Sequence, residues 1–401
     1  MLIFTLGPLL SIIAPLITLP AVSGHFGAAG WASVAVGQSV GGAAAIVVAL
    51  GWDITGPIEL ARAPVEARRQ VFFRSLAQRL PLAVLTIPVA VLATYLSKLE
   101  FPVAGALTAV ALSTTGLSAS WLYIGLARPV LLVVLDSLPR TLASVAGALL
   151  IVNGADLVTL PIVQLLVYCA VAVVPFAVVK GSVHVPRVGR ASLAGLWREQ
   201  GYPLLTRVAT SAYVALPTTI LALTGVGTAS VANYAGVERL ARTGLAGLAP
   251  VNYALQGWIP TARDQRQLAK RMRVALVVNG AVALLGATLF VLLANPVAGW
   301  LFHGEVTLSR SAIVAFTVVI VAVVMSRCTG IQCLATAGRL RVVAFSTIAG
   351  FCIAVPLIIL GGQLFGADGT AWAVATTEVV VLCIQSVALA GFFRAQRVLP
   401  E

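Results

Sequence analysis

Long apolar runs recur along the whole chain between short polar gaps. Most last about 20 residues, the length that crosses a hydrocarbon core of roughly 30 Å as an α-helix. They predict about twelve spans, at 2–22, 31–52, 78–97, 104–126, 129–151, 157–179, 202–222, 230–258, 274–294, 309–328, 342–361 and 370–392. Backbone groups in lipid must be satisfied internally, and unbroken runs of this length suit helices better than alternating barrel strands. The predicted class is an all-α polytopic membrane protein. The opening MLIFTLGPLL lacks a basic n-region and a small-residue cleavage site, so it reads as the first span and not as a signal peptide.

The longest charged gap near the middle, Lys180 to Gln200, leaves six spans on each side. That predicts an N-terminal lobe over 1–180, a linker over 181–200 and a C-terminal lobe over 201–401. The tetrapeptide ASVA opens the second span at Ala32–Ala35 and recurs at Ala229–Ala232, opening the eighth. An even number of spans per half keeps both copies in one orientation, so the expected pseudo-two-fold axis runs along the membrane normal.

Composition agrees with the pattern. Of 401 residues, 60% are apolar and 10% charged, too few charges to cover a water-soluble chain of this length. The net charge of +13 first suggests nucleic acid, but the basic residues form no single patch. They gather in alternate gaps: Arg62, Arg68, Arg69, Arg74 and Arg79; Arg128; Lys180, Arg187, Arg190 and Arg198; Arg263, Arg266, Lys270, Arg271 and Arg273; Arg339 and Arg341; Arg394 and Arg397. The intervening gaps hold only Lys98 and Arg310, which predicts that both termini are cytoplasmic in a bacterial inner membrane, with membrane lipids as partners and no nucleic acid. Apolar residues among the arginines of 61–79 predict a surface helix on the anionic inner leaflet.

No GxxxxGK[ST] or HExxH motif is present, and the three histidines and five cysteines show no ligand spacing, so no catalytic residue, metal or cofactor is expected. The informative residues are charges inside spans, which are costly and usually face protein or a water-filled cavity. Arg140 stands near the middle of the fifth span, where Asp136, one turn earlier, offers an ion pair. The eighth span carries Glu238, Arg239 and Arg242, two arginines for one carboxylate, a positive site that a phosphate could neutralise through bidentate hydrogen bonds. Arg207, five residues into the seventh span, either faces a cavity or snorkels to the headgroups. Arg327 reads as an interfacial anchor. Glu378, in the last span with no basic residue within one turn, and Asp53, after Trp52, are candidates for ion coupling.

From Trp121 the chain reads WLYIGLARPVLLVVLDSLPRTLASVAGALLIV, and from Asn233 it reads NYAGVERLARTGLAGLAPVNYALQGWIP. The first segment resembles the fourth-to-fifth-span region of bacterial polysaccharide flippases, in which an aromatic-rich span end with a glycine leads into a helix bearing a basic residue. The second resembles their eighth span, with its tyrosine, charged pair and terminal proline. These proteins belong to the multidrug, oligosaccharidyl-lipid and polysaccharide exporter superfamily. The resemblance implies two six-helix lobes around a central cavity that opens alternately to either side, flipping a polyprenyl-pyrophosphate-linked oligosaccharide. Arg140, Arg207, Arg239 and Arg242 would then meet the pyrophosphate, and Gln38, Ser39, Asn233 and Tyr234 the sugar hydroxyls, with glycan polymerase or ligase proteins as partners. Two other readings are a proton- or sodium-coupled drug or metabolite exporter of the same superfamily and a membrane-embedded glycosyltransferase. The first calls for an acidic cavity, and the second for a sizeable extracytoplasmic loop that the sequence lacks.

Overall fold

The computed structural model describes residues 2–178 and 215–398, and every regular element among them is helical. The proposed linker and Arg207 lie outside the described residues. Among the described residues, eight helices are long and apolar enough to cross a membrane. The chain divides into two units, Met1–Leu223 with Leu301–Glu305, and Thr224–Trp300 with Val306–Glu401.

In the first unit α1 covers Leu2–Ala49 and breaks at Gly27, where φ is 61° and ψ −163°. A straight helix of that length would run roughly 72 Å, more than twice a bilayer core, so the break is where the chain turns back. The left-handed φ suits glycine. The first arm brings Ile17 to Gly24 beside Ala148, Leu149 and Val152 of α7 (Leu138–Val152). The second arm runs alongside and in the same direction as α4 (Pro102–Thr114): Ser33 meets Gly105, Gly41 meets Ala109, and Ala45 meets Gly116. After a turn through Leu50 and Gly51, both at positive φ, come α2 (Trp52–Arg62) and α3 (Arg68–Leu96). Short helices α5 (Ser120–Gly125) and α6 (Pro129–Leu132) lead through a π-helical turn, Val133–Ser137, into α7, followed by α8 (Thr159–Val173), α9 (Pro175–Val178) and α10 (Pro217–Leu223).

The surface helix expected over 61–79 is not formed as such. Ala63, before Pro64, is extended and ends α2, as the clash with a proline ring requires. Helix then resumes at Arg68 and continues unbroken into the span. Phe72, Ser75, Gln78 and Arg79 are buried on it, and Phe72 joins Trp52, Leu60, Trp121 and Tyr123 in one apolar cluster. Arg68, Arg69, Arg74 and Arg79 ride on the first turns of α3, and Arg62 ends α2.

The second unit is built from α11 (Thr228–Trp258), α12 (Gln265–Phe302), α13 (Arg310–Arg327) with a π-helical extension Cys328–Leu334, and α14 (Leu340–Val398). α14 is a hairpin. Gly366 leaves helical geometry at φ 59°, and a Cβ on Gly369 would overlap the carbonyl oxygen of Gly361, although eight residues of straight helix would separate them by roughly 12 Å.

Each unit has one basic end. In the first, Arg68, Arg69, Arg74, Arg79 and Arg128 lie at the end of the Trp52 cluster, opposite Lys98, Glu100 and Asp156. In the second, Arg263, Arg266, Lys270, Arg271, Arg339 and Arg394 lie at the end where Ile259, Met272, Cys328, Leu334 and Leu389 cluster, opposite Arg310 and Asp368. Between the ends, Val84 and Leu85 of α3, Val277 and Leu284 of α12 and Val387 of α14 are exposed, an apolar surface that suits lipid contact.

Candidate functional site

α11 has the length of a membrane span but carries Glu238, Arg239 and Arg242 near its middle, and it is not among the eight apolar spans. The arginines stand roughly 17 and 21 Å from its Thr228 end at 1.5 Å per residue. Arg242 Nη2 donates to Glu238 Oε1 at 2.7 Å, the i, i+4 bond anticipated from the spacing. Tyr234, Glu238 and Arg242 form a stripe one turn apart that opens progressively. Tyr234 is buried against Phe316 with its hydroxyl unpartnered, Glu238 is 14% exposed and Arg242 is 43% exposed. Arg239, half-buried, adds the second positive charge. The stripe thus presents the hydrogen-bonded Arg242 guanidinium to an accessible surface near the middle of α11, with the Arg239 side chain beside it. It can hold an anionic group.

In the first unit a second line of charge crosses four helices. Arg79 of α3, 1% exposed, donates from Nε to the Ser75 carbonyl and from Nη1 to the carbonyls of Gly116 at 3.1 Å and Ser118 at 2.8 Å. These last two are carbonyls at the end of α4, where a cation also meets the negative end of the helix dipole. Ser118 Oγ donates to Asp136 Oδ1 at 2.8 Å, and Asp136 pairs with Arg140 at 3.0 Å. The pair is 11% and 19% exposed, and the Arg140 guanidinium lies 5.2 Å from the Tyr168 ring. Beyond it, Gln164 donates to Ser144 Oγ at 3.1 Å.

The other expected residues are dispersed. Gln38 is half-buried on the second arm of α1. Its neighbour Ser39 donates to the Ala215 carbonyl and accepts from Thr219 at 2.7 Å. Asn233 faces a polar pocket at the Thr228 end of α11, where its Oδ1 accepts from the Thr307 backbone N–H at 3.0 Å. Tyr234 has no accessible surface for a ligand in this conformation, so its place is in packing. Asp53 is exposed in the first turn of α2, where a carboxylate complements the helix dipole. Glu378 is buried at 6% exposure, without a hydrogen-bond partner among the described residues.

Two buried polar assemblies have no counterpart in the sequence pattern. Gln332, in the π-helical turn, donates to Asn252 Oδ1 at 3.0 Å and accepts from Asn279 at 3.2 Å. Gln385 accepts from Thr329 at 2.8 Å and donates to Ser346 at 3.0 Å. Uncharged amides leave little mark in an apolar run, and only their spacing after folding distinguishes them. Arg79 is hidden for a different reason, since it stands in a gap whose charge density suggests solvent.

With this geometry in hand, backbone comparison finds several solved transporters. One, an inward-facing conformation of a multidrug resistance MATE family transporter of the MOP superfamily, matches with a TM-score of 0.69 at 17% identity, over 98% of this chain and 99% of that one. The two share a fold. Lipid II flippase MurJ, in an inward closed conformation, is also similar, with a TM-score of 0.68 at 12% identity, over 97% of this chain and 88% of that one. A MOP-superfamily transporter from Pyrococcus furiosus, described as having a binding pocket of reverse polarity, matches at 0.54 and 15% identity, over 99% and 95%. No protein-family model and no curated protein matches the sequence.

Proposed function

We propose that this chain is a flippase that moves a polyprenyl-pyrophosphate-linked oligosaccharide across a bacterial inner membrane by alternating access. The observation that carries the reading is the α11 stripe, two arginines and one glutamate at membrane depth with Arg242 43% exposed. A pyrophosphate would accept from such guanidinium groups bidentately and offset a charge that lipid tolerates poorly. Arg140, paired with Asp136, contributes little net charge, so the α11 pair takes the leading role and Arg140 and Arg207 lesser ones. The shared fold supports a transporter, and MurJ, by its name a lipid II flippase, supports the class of cargo.

In this reading the twelve spans form two six-helix lobes related by an axis along the membrane normal, and the basic ends and both termini face the cytoplasm. Glu378 is the coupling carboxylate in preference to Asp53, because it is buried within a span whereas Asp53 is exposed at a helix start. Glycan polymerase or ligase proteins would take the product on the far side.

The likeness to a multidrug resistance transporter favours a second reading, export of small organic molecules. Cationic cargo would meet a positive stripe there, and like charges repel. The test replaces Arg239 and Arg242 with Ala, and separately with Lys, then measures membrane abundance and flipping of a lipid-linked glycan in proteoliposomes. Ala at both positions should lower the rate roughly 10- to 100-fold at unchanged abundance, as loss of one or two charge-assisted contacts implies, with partial recovery by Lys. Normal flipping by the double Ala variant would refute the role.

A further inference from the structure

The end of the second unit where its long C-terminal hairpin turns holds a cavity of about 310 Å³ whose lining is unlike the apolar spans around it. It is formed where the turn of the α14 hairpin meets the starts of α11 and α13. Its walls include Ser230, Asn233, Thr307, Ser309, Phe365 and Asp368, and among the described residues no lysine or arginine lines it. The volume falls at the lower end of the range for small-molecule sites, roughly 300 to 1,000 Å³.

Part of this polarity serves the fold. Ser309 Oγ caps α13 by accepting from Ala312 N–H at 2.9 Å and donates to Asp368 Oδ1, Ser230 Oγ accepts from Ala367 N–H at 2.8 Å, and Asn233 Oδ1 accepts from Thr307 N–H. Those bonds fix the groups in place without exhausting them. Asp368 keeps its second carboxylate oxygen, Asn233 a second amide hydrogen beyond the 3.4 Å contact to Thr307 Oγ1, and Thr307 a hydroxyl hydrogen. Beside them, Phe365 stands 72% exposed at the rim. Rigid donors and acceptors next to an uncovered aromatic face match a ring that carries hydroxyls on its edge and C–H groups on its face. Arg310, next to Ser309, is exposed and is not part of the lining, so the Asp368 carboxylate is the charge the cavity itself presents, and it disfavours phosphate.

We propose that this cavity is a carbohydrate subsite, which receives a sugar ring of the cargo on the extracytoplasmic side. The proposal rests on the flippase reading. Asn233 lies on the same helix as Arg239 and Arg242, roughly 9 to 14 Å farther toward the opposite end. Asn233 thus marks the outer end of α11 and the arginines its middle, on different faces of the helix, since nine residues set Arg242 about 180° around from Asn233.

The test uses two probes in proteoliposomes, the lipid-linked glycan extracted from the source cells and the bare polyprenyl pyrophosphate. Phe365→Ala and Asp368→Asn are the variants, since the first removes an exposed ring and the second can still accept from Ser309. Wild type should move the glycan-bearing lipid faster than the bare one. Each variant should reduce that preference roughly tenfold, the equivalent of one good contact, while moving the bare lipid at the wild-type rate. An unchanged preference, or equal loss with both lipids, overturns the subsite alone. Failure of wild type to move either lipid overturns the flippase reading with it.

Discussion

Arg140 and Arg79 illustrate how a cation inside a membrane protein is compensated at the level of single residues. Arg140 has a carboxylate one turn away and a tyrosine ring across the helix interface. Removing only Asp136 should leave the guanidinium uncompensated, at a cost of about 3 kcal/mol. Asp136→Asn should therefore lower the thermal midpoint of the purified protein by several degrees, and the double variant Asp136→Leu with Arg140→Leu should regain most of it. If the double variant is no more stable than the single, the pair is not what holds Arg140. This pair is legible in the sequence, because i, i+4 spacing alone brings the two side chains together. Arg79 is not, because its partners are backbone carbonyls at Gly116 and Ser118, placed there by the antiparallel packing of α3 and α4. The α11 arginines stand between these cases: their depth and the Glu238 bond can be read from spacing, but the graded exposure of the stripe requires the fold.

Among the elements, the α14 hairpin is the sharpest case of sequence deciding geometry. Gly361 and Gly369 allow backbone contact between its arms, and Gly366 takes the left-handed turn. A side chain at 369 has no free space, so Gly369→Val should sharply reduce folded protein recovered from membranes. Gly244, with open space around its missing Cβ, should accept Ala with unchanged or slightly greater stability, by up to about 1 kcal/mol. Thermal unfolding in detergent checks both, and tolerance of Val at 369 would contradict the tight hairpin. The two arms are legible as separate spans because Gln363 and Asp368 interrupt an otherwise apolar run. The continuous start of α3 is not, since charge density in 68–79 outweighs the buried face of Phe72, Ser75 and Arg79. The π-helical turns at Val133–Ser137 and Cys328–Leu334 also leave no sequence signal, because they arise where packed helices fix the register.

Across the whole molecule, a fold similar to that of solved transporters is joined to a basic middle of α11 and to arginine-rich helix ends. Those ends predict the orientation, with the arginine-rich side in the cytoplasm. In a background with the native cysteines replaced, Arg266→Cys should react only after the inner face is exposed, and Asp156→Cys should react with an impermeant maleimide from outside. The reverse pattern would invert the topology and with it the direction of transport. What the fold alone leaves open is the sign of the cargo, since one neighbour of this fold is a multidrug resistance transporter and another a lipid II flippase. The proposed role of the α11 arginines predicts an anionic lipid headgroup. The most direct measurement reconstitutes the wild-type protein in vesicles and follows two cargoes side by side, a polyprenyl-pyrophosphate-linked glycan and a cationic dye. Movement of the glycan lipid with no dye transport is the predicted result; dye transport with the glycan lipid stationary would contradict it.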